Sequence, residues 1–389
     1  MDEDTSGRDP LFGLVLGGGG ARSAYQAGVL QYIAEAVPDA YFDIQTGVSA
    51  GAINTAHVAN WTGSLQSGAD ALVDIWSALT MEDVVAIESS LSLLWHMLWR
   101  SDTSGAEAKA RLTAADVRKK HGVLDTSPLH RYLCTHLQAQ DGVLTGVEEN
   151  LSRGRLRAAA IVTTNYTTAQ TVTWVQGDDF DLWERPDRIS RHDTLTIDHV
   201  MASTSLPLMF PAVQLGNGWY GDGGIRLSAP LAPAVHLGAD RILAISNRYK
   251  RSRAEADVPV VKGYPPTAQI MGVLMNAIFL DALDQDAYTL ERVNTLVDAL
   301  PAHLHNGMRK IDLLQIRPSI DLGKLAYDYE ENVPGAIRFL TTGLGTAETQ
   351  SPDWLSVLLF DEAYITRLIE IGYHDAQAQR AEILAFFED

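Results

Sequence analysis

Short runs of apolar and β-branched residues alternate along the chain with longer stretches in which apolar positions recur every three or four residues. The short runs predict β-strands at LFGLVL, YFDIQT, LRAAAIVTT, TVTWVQ, RILAIS and IDLLQI. The longer stretches predict helices over residues 20–36, 50–60, 69–78, 105–119, 128–138, 229–238, 266–298 and 353–386. Because strands that alternate with helices form mostly parallel sheets, the pattern predicts an α/β fold with helices on both faces of the sheet.

The order of these elements also predicts the domain organisation. No internal repeat, low-complexity tract or long linker divides the chain. We therefore expect a flexible N-terminus over residues 1–10 and one main domain over 11–350, with a helical insertion at about 65–155. A C-terminal helical segment, 351–389, should pack on the same domain.

The segment VQLGNGWYGDGG breaks the alternation of strands and helices. Asn217-Gly218 stands between two short apolar pieces and predicts a two-residue hairpin turn. The hairpin would lead directly into Asp222.

Composition and charge narrow the classes of function. The chain has 389 residues, of which 46% are apolar, and a net charge of −19. Nucleic acid is disfavoured as a partner because phosphate binding needs clustered Lys and Arg, and the one dense basic run, Lys250 to Arg253, is typical of a solvated loop. With one cysteine, Cys134, a polar N-terminus and no long apolar run, we expect a cytoplasmic protein.

The most unusual stretch is GLVLGGGGARSAYQAGVL, residues 13–30, in which four glycines lie between a predicted strand and a predicted helix. Such a loop can cradle a phosphate or direct backbone N–H groups at a developing oxyanion. The dinucleotide pattern G-x-G-x-x-G fails in both registers, because its third glycine falls on Arg22 or Ser23. Asp43 does not rescue it, since the pattern places its acid at a strand's end and Asp43 begins one.

A second motif favours the oxyanion interpretation. Gly47-Val48-Ser49-Ala50-Gly51 matches G-x-S-x-G between a predicted strand and a predicted helix, which is the context of a nucleophile elbow. Gly47 and Gly51 leave room for a sharp turn, so that the Ser49 hydroxyl projects freely. The N-terminus of the following helix would favour negative charge on Ser49.

If Ser49 is a nucleophile, the glycine loop supplies what acyl transfer needs. The N–H groups of Gly18, Gly19 and Gly20 could form an oxyanion hole. Arg22 could either stabilise this loop or receive a lipid phosphate.

Two kinds of base could activate Ser49. A serine hydrolase triad would need a histidine after the acid, but no candidate has an informative setting: His236, His303, His305 and His374. Asp222 in GDGG could instead bond the Ser49 hydroxyl directly, with burial raising the pKa of its carboxyl. Gly223 and Gly224 beside it are further candidates for substrate contact.

The chain resembles the patatin-like phospholipase family in three motifs, which have the order and approximate spacing of that family: GGGGAR, GVSAG and DGG. The similarity covers nearly the whole chain, since VMASTSLPLMFPAV and LLFDEAYITRLIEIGYHDA also look like bacterial members. The resemblance implies a three-layer α/β/α fold and a Ser-Asp dyad that works without histidine, metal or cofactor. One departure is Ser23, where the family usually has glycine after the loop arginine.

The resemblance implies a serine hydrolase that cleaves acyl esters of lipids such as phospholipids or lysophospholipids. Ser49 would be the nucleophile, Asp222 the general base and Gly18 to Gly20 the oxyanion hole. A thioesterase or acyltransferase with the same nucleophile, and a non-catalytic lipid-binding regulator, remain alternatives.

Residues 89–100, SSLSLLWHMLWR, carry leucines and tryptophans at helical spacing. In an acyl hydrolase this stretch could be a lid or a helix that rests on a membrane, which would make the protein a peripheral one. The same spacing is first of all typical of a core helix, and the acidic net charge disfavours tight binding to anionic membranes.

Overall fold

The structure is a computed structural model. It describes the following residues: 9–86, 124–178, 180–256, 282–332 and 352–388, together with positions 270, 273, 274 and 277.

The described strands form one ten-stranded sheet with the order β10-β9-β1-β2-β3-β4-β6-β5, and β8 pairs with both β3 and β7. Their bounds are β1 Phe12–Leu16, β2 Ile44–Val48, β3 Ala158–Asn165, β4 Gln170–Gly177, β5 Glu184–Arg185, β6 Arg188–His192, β7 Val213–Leu215, β8 Gly218–Asp222, β9 Arg241–Ile245 and β10 Asp312–Ile316. The five neighbours from β10 to β3 are parallel to one another, and antiparallel pairs begin beyond β3. The prediction of a mostly parallel central sheet is confirmed.

The described residues also form α-helices, which lie between β1 and β10 along the chain and after β10. Their bounds are α1 Ala24–Ala36, α2 Ala50–Asn60, α3 Leu65–Ala78, α4 Met81–Val84, α5 Ser127–His136, α6 Thr145–Ser152, α7 Ile197–Ser203, α8 Ala232–His236, α9 Arg253–Ala256, α10 Ala282–Ala299, α11 Leu322–Leu325, α12 Pro352–Leu358, α13 Glu362–Ala378 and α14 Arg380–Phe387. Helices α3 to α6 lie in the stretch predicted as a helical insertion.

The sheet separates two hydrophobic cores because successive side chains of a strand point to opposite faces. Phe12, Leu14 and Leu16 of β1 pack in the core that holds α1, α2, α3 and α13, whereas Val15 packs in the core with α8 and the start of α10. Both faces are therefore covered by helices, which confirms the three-layer α/β/α fold.

One helix pair packs especially closely. A Cβ on Gly28 of α1 would collide with the carbonyl oxygen of Ile369, and a Cβ on Gly372 of α13 would collide with the carbonyl oxygen of Tyr25. The missing side chains let the two backbones approach, so α13 packs directly over α1.

Several predicted elements differ from the structure at their ends. The predicted C-terminal helix is three helices, because the Asp361 side chain accepts the N–H of Tyr364 and starts a new helix after α12 has ended at Leu358. The polar strands β5 and β6, the last two of the sheet beyond β4, lack an apolar run and were not predicted. The predicted helix over 105–119 lies outside the described residues.

The hairpin before Asp222 is present, but its turn is one residue earlier than predicted. Leu215 pairs with Gly218, so the two loop residues are Gly216 and Asn217. Gly216 has a φ of 58°, a conformation that favours glycine at the first loop position.

Within the described part of the chain, no helix combines the length and apolarity that a bilayer-spanning segment requires.

Candidate active site

Ser49 lies at the junction of β2 and α2, where the sequence predicts a nucleophile elbow. Its φ of 55° and ψ of −134° are sparsely populated for a residue with a side chain, which costs of the order of 1–3 kcal/mol. A Cβ on Gly47 would collide with Thr55 Oγ1, and one on Gly51 would collide with the carbonyl oxygen of Leu16. The two glycines therefore allow the turn, as the motif predicts.

A serine outside the predicted motifs holds this turn in place. The N–H of Ser49 donates to Ser203 Oγ at 2.9 Å, and the Ser203 hydroxyl donates to the carbonyl of Val162 at 2.6 Å. Ser203 is fully buried at the end of α7. The β3 strand is thus connected through one hydroxyl to the strained backbone of Ser49.

Asp222 is the last residue of β8, and its side chain contacts that of Ser49. The Ser49 hydroxyl donates to Asp222 Oδ2 at 2.6 Å, although 173 positions separate the two residues. Asp222 Oδ1 accepts the N–H of Gly224 at 2.9 Å, and the Asp222 backbone is bonded on both sides, to Ser205 and Thr164. The carboxylate is therefore held in one orientation toward Ser49.

Burial changes the acidity of Asp222. The side chain is fully buried, and desolvation of the charged form raises its pKa from 3.8 to about 7, against the opposing effect of the hydrogen bonds from Ser49 and Gly224. A carboxyl with a pKa near neutrality can accept a proton and return it, which is what a general base in acyl transfer must do.

The glycine loop runs directly beside Ser49. A Cβ on Gly18 would lie 2.7 Å from Ser49 Cβ, so only glycine fits at this position next to Ser49. Gly20 has a φ of 57°, and its α-carbon faces the carbonyl oxygen of Val357 in α12. Within the described part of the chain, no acceptor is bonded to the N–H groups of Gly18 and Gly19.

The three remaining candidates for substrate contact are engaged inside the protein. The Arg22 side chain is 3% exposed and donates from Nε to Ser356 Oγ at 2.7 Å. Gly223 packs against β3, where a Cβ would collide with the carbonyl of Val162, and the Gly224 N–H is used by Asp222. These contacts favour a structural role for each of them, and for Arg22 they favour the stabilisation of the loop.

Of the histidines that could have completed a triad, His303 is exposed and the other three have other contacts. His236 stacks on Trp183 with ring centroids 4.9 Å apart, His305 bonds the carbonyl of Leu300, and His374 contacts Gln377 at 3.4 Å. Among the described residues, no histidine is hydrogen-bonded to the Ser49 or Asp222 side chain.

An apolar pocket opens onto Ser49. It is lined by Gly20, Ser49, Ala50, Ile53, Trp76, Leu79, Val84, Leu129, Thr204, Leu206, Phe210, Val357, Leu358 and Phe360. Apart from Ser49 and Thr204, the lining carries few polar groups, so the pocket suits a hydrocarbon chain. The contribution of α12 and Phe360 to the pocket beside Ser49 could not be predicted from spacing, because these residues lie some 300 positions after Ser49.

Two of the predicted segments lie outside the described residues. They are residues 89–100, predicted as a lid, a membrane contact or a core helix, and positions 1–8 of the predicted flexible N-terminus.

The solved structures that are similar to this chain include a bacterial and a human protein. VipD from Legionella pneumophila is 14% identical, with 98% of this chain and 69% of VipD covered at a TM-score of 0.38. Human GIVD cytosolic phospholipase A2 is 13% identical with a TM-score of 0.46, and the match covers 97% of this chain but 60% of the human protein. No curated protein sequence matches significantly.

The family model described as patatin-like phospholipase matches residues 14–235, a range that includes the glycine loop, the elbow and Asp222. The matched range is more than half of the chain. The chain therefore belongs to the patatin-like phospholipase family.

Proposed function

We propose that this protein is a serine lipid acyl hydrolase of the phospholipase or lysophospholipase type, which works through a Ser49–Asp222 dyad and an acyl-enzyme intermediate. The observation that carries the proposal is the 2.6 Å hydrogen bond from the Ser49 hydroxyl to a fully buried carboxylate. The family supports lipid acyl hydrolysis in general, and the geometry supports these two residues as its agents.

In the first half of the reaction, Ser49 Oγ bonds to the ester carbonyl carbon while its proton passes to Asp222 Oδ2. The carbonyl oxygen becomes an oxyanion, which the N–H groups of Gly18, Gly19 and Gly20 would stabilise. When the intermediate collapses, the bond to the alcohol breaks and Asp222 returns the proton to the leaving oxygen. The acyl group is then bonded to Ser49.

In the second half, a water molecule gives a proton to Asp222 and attacks the acyl carbon. Collapse of this second intermediate breaks the bond to Ser49, which recovers the proton from Asp222 as the fatty acid leaves. One carboxyl carries out four proton transfers, which is feasible because its pKa of about 7 lies close to the working pH.

The apolar pocket supports a fatty acyl group as the part of the substrate that is held. Trp76, Leu129, Leu206 and Phe210 belong to the main domain, whereas Leu358 ends α12 in the C-terminal segment. We propose that residues 11–350 and 351–389 act as one unit, since both supply walls of this pocket. The single cysteine fits a role in lipid degradation in the cytoplasm, with the protein meeting its lipid as a peripheral protein.

A serine-directed fluorophosphonate tests the nucleophile. The wild type should be labelled stoichiometrically and Ser49→Ala should not be labelled, while Ser152→Ala, an exposed helix serine, serves as the matched control and should keep full labelling. Equal labelling of Ser49→Ala and the wild type would refute the assignment. Near-normal hydrolysis of p-nitrophenyl butyrate by Asp222→Asn would show that another group is the base.

The substrate class is tested by the fatty acid released from a mixture of phospholipid, lysophospholipid and acylglycerol. A preference for acyl-CoA would identify a thioesterase, and transfer of the acyl group to an added alcohol would identify an acyltransferase. A folded wild type that binds lipid but is not labelled and releases no fatty acid would indicate a regulatory protein.

A further inference from the structure

The carbonyl groups of the glycine loop are held by two buried side-chain amides from other parts of the chain. Asn247, two residues after β9, donates from Nδ2 to the carbonyl of Gly18 at 2.9 Å and to that of Gly17 at 3.3 Å. Gln26 of α1 donates from Nε2 to the Gly17 carbonyl at 2.9 Å. Asn247 is 2% exposed and Gln26 is fully buried, so water does not compete for these carbonyls.

These contacts decide where the N–H groups of the loop point. In a planar trans peptide the C=O and the N–H of the next residue point in opposite directions. Fixing the carbonyls of Gly17 and Gly18 on the side of Asn247 therefore directs the N–H groups of Gly18 and Gly19 away from it.

The loop passes between Asn247 and the nucleophile. A Cβ on Gly19 would lie 2.8 Å from Asn247 Nδ2, whereas a Cβ on Gly18 would lie 2.7 Å from Ser49 Cβ. Asn247 thus contacts the loop from one side and Ser49 from the other. N–H groups turned away from Asn247 face the region in which an oxyanion on Ser49 would form.

We infer that Asn247 is a positioning residue, which aims the N–H groups of Gly18 and Gly19 at the oxyanion, and that Gln26 assists it at Gly17. This inference rests on the proposed acyl hydrolase function. Asn247 does not touch the substrate and acts through the peptide groups that it binds.

Both amides are themselves held in the orientation that this role requires. Asn247 Nδ2 also lies 3.0 Å from Ser23 Oγ, so its two hydrogens are shared among three oxygen acceptors. Oδ1 in the same place would face the two loop carbonyls without a hydrogen to donate. Gln26 Oε1 accepts from Asn54 Nδ2 at 2.8 Å, and Asn54 Oδ1 accepts from Trp76 Nε1 at 2.7 Å. Because Trp76 lines the apolar pocket, one hydrogen-bonded chain connects the pocket wall to the glycine loop.

The role predicts a specific kinetic change. Asn247→Leu keeps a similar volume but removes the donors, so the loop peptides can rotate. Removal of one oxyanion donor costs about 10²–10³ in rate, and we expect misalignment to lower kcat by about 10- to 100-fold with KM changed less than twofold. Ser23→Ala removes one acceptor from Asn247 and should lower kcat by about two- to tenfold, the range of one neutral hydrogen bond.

The experiment compares kcat and KM for p-nitrophenyl butyrate with the inhibition constant of an alkyl trifluoromethyl ketone, which forms a tetrahedral adduct with a serine. In Asn247→Leu the inhibitor affinity should fall by the same factor as kcat/KM. The matched control is Asn150→Leu, because Asn150 is also buried and also donates to two carbonyls, those of Ala59 and Trp61, but at a distance from the loop. It should lose stability without a change in kcat.

Two outcomes would overturn the inference: a folded Asn247→Leu with kcat and inhibitor affinity within twofold of the wild type, or equal losses in Asn150→Leu. If Asn247→Leu does not fold, Asn247→Ala removes the N–H donors without adding bulk or charge, and the same readouts decide. A wild type that is not labelled by the fluorophosphonate would instead refute the proposed function, independently of Asn247.

Discussion

Asp222→Asn should abolish hydrolysis and at the same time stabilise the protein. Asparagine keeps the shape of the carboxyl, its Nδ2 can donate to Ser49 Oγ, and its Oδ1 can accept the N–H of Gly224, as Asp222 Oδ1 does. What it removes is the negative charge in a fully buried position. It also removes the proposed base, so we expect that the acyl-enzyme does not form.

The magnitude follows from the pKa of Asp222 in the two states. Burial raises this pKa from 3.8 to about 7. Below pH 3.8 both states are protonated and the charge has no effect, whereas between 3.8 and 7 the unfolded chain releases the proton and the folded chain retains it. The free energy of unfolding therefore falls as the pH rises from 3.8 to 7, by about 1.36 kcal/mol per pH unit. Above pH 7 the total loss is at most about 4 kcal/mol.

The assay is the thermal midpoint of wild type and Asp222→Asn at pH 8.5 and pH 5.5. With an unfolding entropy of about 2.1 cal/mol/K per residue, 4 kcal/mol corresponds to about 5 °C in a chain of this length. The variant should gain up to about 5 °C at pH 8.5 and about half of that at pH 5.5. Asp39→Asn, on an exposed residue, is the control and should show no such pH dependence. The reasoning would be refuted if Asp222→Asn were less stable than the wild type at pH 8.5, or if its thermal midpoint were raised equally at both pH values. Either result would show that the buried charge of Asp222 does not destabilise the folded protein.

Other predictions concern the rate, the pocket and the packing. For p-nitrophenyl acetate, kcat/KM should rise about tenfold per pH unit up to about pH 7 and then level off, as Asp222 ionises; a flat profile between pH 5 and 8 would contradict its role as base. Gly18→Ala places a methyl group 2.7 Å from Ser49 Cβ and should lower kcat about 100-fold, measured with the same ester. Leu358→Trp should reduce the preference for decanoate over acetate esters about tenfold, because excluding two methylenes from the pocket costs about 1.6 kcal/mol. An unchanged ratio of the two rates would show that Leu358 does not contact the acyl chain. Gly28→Ala puts a methyl group against a carbonyl oxygen of α13 and should cost about 3 kcal/mol in urea unfolding, with the activity of the remaining folded protein intact.

The strain at Ser49 and the buried charge at Asp222 have a common consequence. Both are unfavourable for folding, and both hold a proposed catalytic group in one position. Ser203 compensates by bonding the Ser49 N–H, and the Gly224 N–H compensates by bonding the carboxylate. The site is thus stabilised by groups that do not themselves react.

Local patterns in the sequence determined much of this protein. The central strands β1, β2, β3 and β9 were predicted because they are short, apolar and rich in β-branched residues, and α2 was predicted with its observed bounds. The turn at Ser49 was predicted because β2, Ser49 and α2 are contiguous in the chain. The geometry of such a turn depends mainly on residues that are neighbours in the sequence. Errors occurred where local signals are weak: in the polar strands β5 and β6, in the hairpin turn at Gly216-Asn217, and at the break before Asp361.

Tertiary structure alone decided which distant groups meet at the site. Ser49 and Asp222 could be proposed as partners from their motifs, but the 2.6 Å distance results from the antiparallel pairing of β8 with β3 next to β2. Ser203, Asn247 and the residues of α12 had no motif, since a buried hydroxyl or amide becomes informative only when its acceptors are known. The physical reason is that hydrogen-bond geometry and burial depend on positions in space, whereas the sequence pattern reports only spacing along the chain.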